Sequence, residues 1–214
     1  MDVGIICDFS KASLHLTGHR DQYYSVGRVE VDFGSGQRST LCVPDNKTAS
    51  VICKTLRLPS TSASLVHRSW LGMRKSPIFD SSFVCEGNES SIFDCVMIVA
   101  KPECYNNDVG ILCTSRSSRD VFIIALEGYP FVEGTKNVLK CVTLSSFQDN
   151  IQWTATAGGR HVGDLLFFDN ITREHNGRLA ICEVSHSYFI DTHKSSSATV
   201  LYFELKVYFQ PFIF

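Results

Sequence analysis

Residues 85–113 read CEGNESSIFDCVMIVAKPECYNNDVGILC and hold four of the nine cysteines in this chain of 214 residues. The end of that stretch, DVGILC at 108–113, nearly repeats DVGIIC at 2–7. The later copy closes a block of six cysteines: Cys42, Cys53, Cys85, Cys95, Cys104 and Cys113. No such block precedes the earlier copy, so we interpret residues 1–8 as the end of a preceding repeat. The chain is then expected to be a piece of a longer repeat protein.

Composition indicates an oxidising, extracellular setting. Nine cysteines are more than a reducing compartment usually tolerates, and a net charge of −2 gives no sign of a nucleic-acid partner. N-x-S/T sequons make Asn46, Asn88 and Asn170 candidate glycosylation sites. The chain shows neither a signal peptide nor an apolar run long enough to span a membrane. We therefore expect a secreted protein, or the ectodomain of a membrane receptor, whose signal peptide lies outside this chain.

The cysteine block predicts a strand-rich module with one helix. Residues 28–33 alternate between polar and apolar side chains, which predicts a half-buried strand. Apolar residues within 49–56 recur at i, i+3, i+4 and i+7, which predicts a helix whose inner face carries Cys53. Either Asp45 or Asn46 can cap this helix.

Six segments of this module resemble the scavenger receptor cysteine-rich (SRCR) domain, in the family's order and close to its spacing. They are residues 27–31, 40–42, 50–56, 76–79, 85–95 and 108–113. The resemblance implies an α+β fold over residues 13–114, a small curved sheet with one main helix, rich in disulfides. It also implies that Cys42 pairs with Cys104, Cys53 with Cys113 and Cys85 with Cys95. Six cysteines by themselves allow 15 connectivities.

The acidic residues that form a calcium site in the resembled family are largely replaced. Valine and proline at 43–44, and two serines at 81–82, stand where the family carries acidic doublets. Glu89 keeps the family's glutamate position, and Asp45 and Asp80 lie close in sequence to the lost doublets. Calcium takes six to eight oxygens, so three candidate metal ligands make a poor site. We expect no cofactor, and calcium is the one candidate left open. The alternative to a metal-binding role is that Asp45 caps the helix and Glu89 is an ordinary surface acid.

Four basic residues are candidates for ligand binding. Arg38 stands where the family has the tryptophan of a Gly-Gln-Trp-Gly turn, and Arg68, Arg74 and Lys75 lie in the long loop before Pro77. Members of the family often bind polyanionic surfaces, and arginine forks suit sulfate and phosphate groups. Binding residues also concentrate on loops. The alternative is an ordinary solvated face.

A second pattern of cysteines follows a short polar linker at 115–119. Trp153 comes 12 residues after Cys141, and Cys182 comes 41 residues after Cys141. This Cys…Trp…Cys spacing is typical of two sheets bridged by one disulfide with a tryptophan packed on it.

The second pattern resembles an immunoglobulin-like domain, an all-β sandwich, over residues 120–209. The resemblance implies a bridge between Cys141 and Cys182. Ala180 stands where such domains usually carry a tyrosine, which indicates a divergent, constant-like subtype. Residues 210–214 are left as a tail.

The remaining cysteine is Cys7, whose partner we expect in a missing upstream repeat. In the isolated chain it would be a free thiol. The sequence shows no set of residues typical of a catalytic site. Its seven histidines are scattered and do not have the spacing of metal ligands, and no GxSxG motif is present. We therefore predict that the chain is not an enzyme.

An SRCR module beside an immunoglobulin-like module resembles the extracellular recognition receptors of innate immunity. That resemblance implies microbial surface polyanions or host glycoproteins as ligands, with no nucleic-acid partner. One alternative is a cell-adhesion or matrix protein that makes glycoprotein contacts. The other is a set of accessory modules of an extracellular enzyme of the serine protease or lysyl oxidase type.

Overall fold

The computed structural model describes residues 9–20, 22–102, 109–115, 121–144, 149–190 and 193–209. The chain divides into two compact units. The first comprises Met1–Thr17 and Gln22–Arg116, and the second comprises Gly18–Asp21 and Ser117–Phe214. Three segments that the sequence analysis treated separately lie outside the described residues: 1–8, 210–214 and most of the linker 115–119.

The first unit is built around one sheet and one helix. Its elements are the first five residues of β1 (Ser13–Arg20), β2 (Tyr24–Asp32), β3 (Ser39–Cys42), α1 (Asn46–Thr55), β4 (Ser62–Val66), β5 (Ile78–Val84), β6 (Val96–Val99) and β7 (Gly110–Thr114). The strand order is β4-β7-β2-β3-β5-β6, and β1 also pairs with β2. Strands β3 and β5 run parallel, whereas β2–β7, β4–β7, β2–β3 and β5–β6 are antiparallel. Short 3-10 helices span Arg68–Trp70 and Ile92–Asp94.

Helix α1 supplies much of the core of this unit. Its N-cap is Asp45, whose carboxylate accepts a hydrogen bond from the backbone N–H of Thr48 at 2.7 Å. Asn46, the other candidate cap, instead accepts a hydrogen bond from the backbone N–H of Leu65 on β4. The buried face of α1 packs with residues of β2, β3, β5 and β7 in one apolar cluster. That cluster includes Val29, Leu41, Ile52, Phe83 and Ile111.

Strand β2 differs from its sequence prediction. The alternation within 28–33 predicted burial of one face, but both faces of β2 are buried up to Val31. Arg28 and Glu30, at the expected solvent positions, are 8% and 7% exposed. Phe33 lies beyond the end of the strand and is partly exposed. The cause is tertiary, because neighbouring segments cover the polar face and satisfy its charged groups.

The second unit holds two facing sheets. Its strands are β8 (Val121–Ala125), β9 (Phe131–Val132), β10 (Asn137–Thr143), β11 (Asp149–Thr156), β12 (Arg160–Val162), β13 (Leu165–Phe168), β14 (Leu179–Ile190), β15 (His193–Glu204) and β16 (Val207–Tyr208). One sheet has the order β12-β13-β10-β8 and the other β11-β14-β15, while β9 and β16 form a small parallel pair.

A disulfide joins the two sheets of the second unit. It connects Cys141 on β10 to Cys182 on β14, with 6.5 Å between the Cα atoms. Trp153 on β11 is buried in the same apolar cluster as this bridge, and Ala180 is fully buried beside it. The core of this unit therefore lies between the sheets, around the disulfide. Across the described parts of both units, the structure has no helix of the length and apolar character that a membrane crossing requires.

Candidate functional site

The loop that leads from the 3-10 helix Arg68–Trp70 into β5 is anchored at its start. The guanidinium of Arg28 donates a hydrogen bond to the backbone carbonyl of Gly72. Arg28 is almost fully buried on β2, so its position is fixed by the sheet. The first anchor of the loop is therefore a charged group held in the interior.

The same loop is anchored again at its end. The hydroxyl of Ser76 donates to Oε1 of Glu30 at 2.7 Å and lies 2.7 Å from the hydroxyl of Thr40. The backbone N–H of Thr40 donates to the carbonyl of Pro77, also at 2.7 Å. Both attachments tie the loop to β2 and β3, where it passes into β5.

Between the anchors, three consecutive side chains are exposed: Met73, Arg74 and Lys75. We call these residues the basic loop. Met73 is 89% exposed, which leaves it almost entirely in solvent. Since both ends are fixed, the basic loop presents its charges from a constrained stem.

Glu30 connects this loop to the rest of the sheet. Its Oε1 accepts from Ser76, and its Oε2 accepts from the hydroxyl of Thr17 on β1 at 2.7 Å. The guanidinium of Arg38 lies 3.9 Å from the same Oε2. A buried carboxylate needs such partners, because the loss of its hydration is costly. Glu30 therefore brings Arg38, which is half exposed, to the base of the basic loop.

The fourth basic candidate, Arg68, is exposed in the 3-10 helix that precedes Gly72. Sequence reasoning proposed the four cations but missed the groups that position them, namely Arg28, Glu30 and Ser76. The sequence did carry a signal, because Arg28 and Glu30 alternate with valines within one strand. That pattern is equally typical of a solvent-facing edge, so the sequence did not distinguish the two cases.

Two of the three acidic candidates are engaged by backbone groups. Asp45 caps α1, as described above. Glu89 accepts hydrogen bonds from the backbone N–H groups of Glu86 and Gly87, each at 2.8 Å. These bonds, with that from Glu86 foremost, favour the charged form and hold the pKa of Glu89 below its usual value. Asp80 is exposed on β5.

The three acidic candidates for a cation site are not brought together in the described residues. Among them, one cluster of His, Cys, Asp and Glu brings ligand atoms within 4.8 Å of one another: Cys85, Glu89 and Cys95. Its two sulfurs are bonded to each other, so neither is a thiolate ligand. Within the described part of the chain, Asp45 and Asp80 do not join Glu89 in such a group.

The residues that replace the acidic doublets have structural roles. Val43 is buried in the apolar cluster of the first unit. Ser82 is also buried, and its hydroxyl donates to the backbone carbonyl of Cys42 at 2.8 Å. An ionised aspartate at that position has no proton to donate. The two positions thus contribute to the packing and hydrogen bonding of the first unit.

Disulfides tie the helix and one loop of the first unit to its sheet. Cys53 on α1 is bonded to Cys113 on β7, with 5.8 Å between the Cα atoms. Cys85 and Cys95 close the loop between β5 and β6. Cys42 is also disulfide-bonded, whereas Cys7 and Cys104 lie outside the described residues.

The asparagines of the three sequons are exposed. Asn46 lies at the start of α1, and Asn88 lies in the loop between β5 and β6. Asn170 lies in the turn after β13. The Asn46 sequon differs from the others because the hydroxyl of Thr48 is buried and accepts a hydrogen bond from the backbone N–H of Cys85. In the folded chain that hydroxyl already has a partner.

Comparison with known proteins identifies the first unit. The sequence model of the scavenger receptor cysteine-rich domain family matches residues 19–114. Galectin-3-binding protein of Rattus norvegicus is 34% identical over 110 residues, which cover 49% of this chain and 18% of that protein. This chain therefore spans a small part of that relative's length. The crystal structure of the third SRCR domain of murine neurotrypsin has 27% identity and a TM-score of 0.40, covering 49% of this chain and 97% of the other. Together with the disulfide-bonded sheet and helix, the family match shows that this chain is an SRCR domain protein, with the domain at residues 19–114.

Proposed function

We propose that this chain is a non-catalytic recognition fragment of an extracellular receptor, and that it binds polyanionic ligands through its SRCR domain. An SRCR domain is an extracellular ligand-binding module, which supports the broader class. The basic loop supports the narrower assignment, because Arg74 and Lys75 project from a stem fixed at Gly72 and Ser76. A stem that is already ordered loses less entropy when a ligand binds.

The charge of this surface favours sulfated or phosphorylated ligands. Arg38 contributes a half-exposed guanidinium at the base of the loop, and Arg68 a further one before it. Guanidinium forks pair with two oxygens of a sulfate or phosphate group. Microbial surface polyanions and sulfated host glycoproteins both present such groups in repeated arrays.

The second unit is proposed to be an immunoglobulin-like sandwich beside the SRCR domain. The support is its two facing sheets, bridged by Cys141 and Cys182 with Trp153 packed in the same core. Such a module either binds a partner or serves as a spacer. In this proposal the ligand contacts belong to the SRCR domain.

A double charge reversal tests the proposal. Arg74→Glu with Lys75→Glu is expected to weaken binding to immobilised dextran sulfate about tenfold, measured by surface plasmon resonance. The matched control is Lys136→Glu with Lys206→Glu, which makes the same change of charge at exposed positions of the second unit. Equal losses in the two variants would point to net charge alone and reject the basic loop as the site.

Glycoprotein recognition of the adhesion type is a second candidate. A relative named as a galectin-3-binding protein, together with exposed asparagines in the Asn88 and Asn170 sequons, favours it. Binding to galectin-3 that is lost on enzymatic removal of N-glycans, without any binding to dextran sulfate, would favour this candidate over the first.

A further inference from the structure

Strand β6 exposes an unusual run of apolar side chains. It lies at the end of the strand order and, within the described residues, pairs on one side with β5. Its four residues, Val96–Val99, are all exposed, with Val96 at 67% and Val99 at 81%. Contiguous apolar surface of this kind on a soluble domain marks an interaction site.

Proteins usually protect an edge strand with a charge, a proline or a bulge. Neither a charge nor a proline occurs within β6, and its pairing with β5 is continuous over all four residues. The nearest charges stand outside the strand, with Asp94 before it and Lys101 after it, both exposed. Among the residues that the structure describes, no strand pairs with the outer side of β6, and the two ends of the strand carry opposite charge.

The pairing with β5 determines which backbone groups of β6 face outward. The N–H of Ala100 donates to the carbonyl of Asp80 on the β5 side, at 2.9 Å. Hydrogen-bonding groups alternate along an antiparallel strand. The N–H and C=O groups of Met97 and Val99 consequently point away from β5, toward the open edge.

We propose that this edge pairs with β6 of a second copy of the chain, antiparallel and about a two-fold axis at Ile98. In this register Met97 of each copy forms a hydrogen-bonded pair with Val99 of the other, and the two Ile98 residues face each other. Apolar cross-strand pairs stabilise such an edge. The two-fold arrangement makes the same contacts twice, as a closed dimer requires.

Charge complementarity favours a second copy over an unlike partner. In the proposed register Lys101 of one copy lies opposite Cys95 of the other, next to Asp94. The same opposite-charge contact forms at both ends of the paired strands. A parallel arrangement would place Lys101 beside Lys101 and lose this match.

Sedimentation of the full chain tests the proposal. Cys7→Ser is included in every sample, so that a thiol at that position does not link two chains. The chain is expected to show a concentration-dependent monomer–dimer equilibrium. Val99→Lys should raise the dimer dissociation constant about tenfold or more, because it places a charge in the strand pair. Circular dichroism shows whether that variant is folded.

A cysteine pair tests the register without relying on Val99→Lys. Ile98→Cys should form a disulfide-linked dimer on mild oxidation, because Ile98 faces its own counterpart across the axis. Val96→Cys is the matched control, since Val96 is more exposed yet lies far from its counterpart in this register. A chain that stays monomeric up to its solubility limit, or that links equally well through either cysteine, would overturn the proposal.

Discussion

Glu30 shows how a single buried charge organises the surface of the SRCR domain. The residue is 7% exposed, and its carboxylate accepts hydrogen bonds from Thr17 and Ser76, with Arg38 nearby. In the interior, a carboxylate that loses a donor is left with an uncompensated charge. The position of the basic loop therefore depends on the same contacts that satisfy Glu30.

Removing one donor to Glu30 should affect both stability and binding. Ser76→Ala is expected to lower the free energy of unfolding of the first unit by about 1–3 kcal/mol, since it removes a hydrogen bond to a charged group. It should also weaken dextran sulfate binding, because the end of the loop loses its side-chain anchor. Urea denaturation and surface plasmon resonance measure the two effects. Ser60→Ala, at an exposed position, is the control. If Ser76→Ala kept full stability and affinity, the hydrogen bond from Ser76 would not be needed to anchor the loop.

At the scale of elements, α1 holds the loop closed by Cys85 and Cys95. The ammonium of Lys54 donates to the carbonyl of Gly87 at 2.8 Å. The hydroxyl of Thr55 accepts from the backbone N–H of Ile92 at 2.9 Å. The helix is thus tied to its sheet by the Cys53–Cys113 disulfide and to this loop by these two hydrogen bonds.

The cap of this helix can be tested separately from any role in cation binding. Asp45→Ala should destabilise the first unit by about 1 kcal/mol, because the N–H of Thr48 loses its acceptor. Hydrogen exchange of the α1 amides in increasing urea measures the change. Asp45→Asn keeps an accepting oxygen and should retain most of the stability. If added calcium stabilised the wild type but not Asp45→Asn, Asp45 would be a metal ligand and the cap interpretation would be wrong.

At the scale of the whole molecule, the proposed recognition does not depend on a bound cation. The carboxylates of Asp45 and Glu89 accept hydrogen bonds from backbone N–H groups. At the positions of the family's acidic doublets, Val43 packs in the core and Ser82 donates a hydrogen bond. In the proposed function the basic loop attracts its ligand by charge, and salt screens that attraction.

Chelation should therefore leave the affinity of the whole chain unchanged. Binding to dextran sulfate is expected to be the same with and without EDTA at matched ionic strength. Raising the salt concentration should weaken binding, because the contacts are between exposed charges. Surface plasmon resonance in the two buffers measures both effects. A large loss in EDTA that calcium restores would show that a cation site operates after all.

The sequence by itself determined the family and the main helix. Cysteine spacing and short motifs predicted an SRCR domain, and that prediction is confirmed by the family match over residues 19–114. Helical periodicity placed Cys53 on a buried face, where α1 carries it. The helix was predictable because its periodicity is a local property of the sequence. The family was predictable because the cysteines recur at characteristic spacings along the chain. The immunoglobulin-like assignment of the second unit stays a prediction.

Only the tertiary structure decided that the polar face of β2 is buried and that the apolar strand β6 is exposed. Alternation in sequence gives the two faces of a strand but does not say what covers each of them. Segments distant in sequence cover Arg28 and Glu30, so charges at positions that the alternation assigns to solvent lie inside. Conversely, the apolar run Val96–Val99 lies at an edge in solvent, because the strand order ends there. Burial is a property of the assembled sheet, and so the sequence could not assign it.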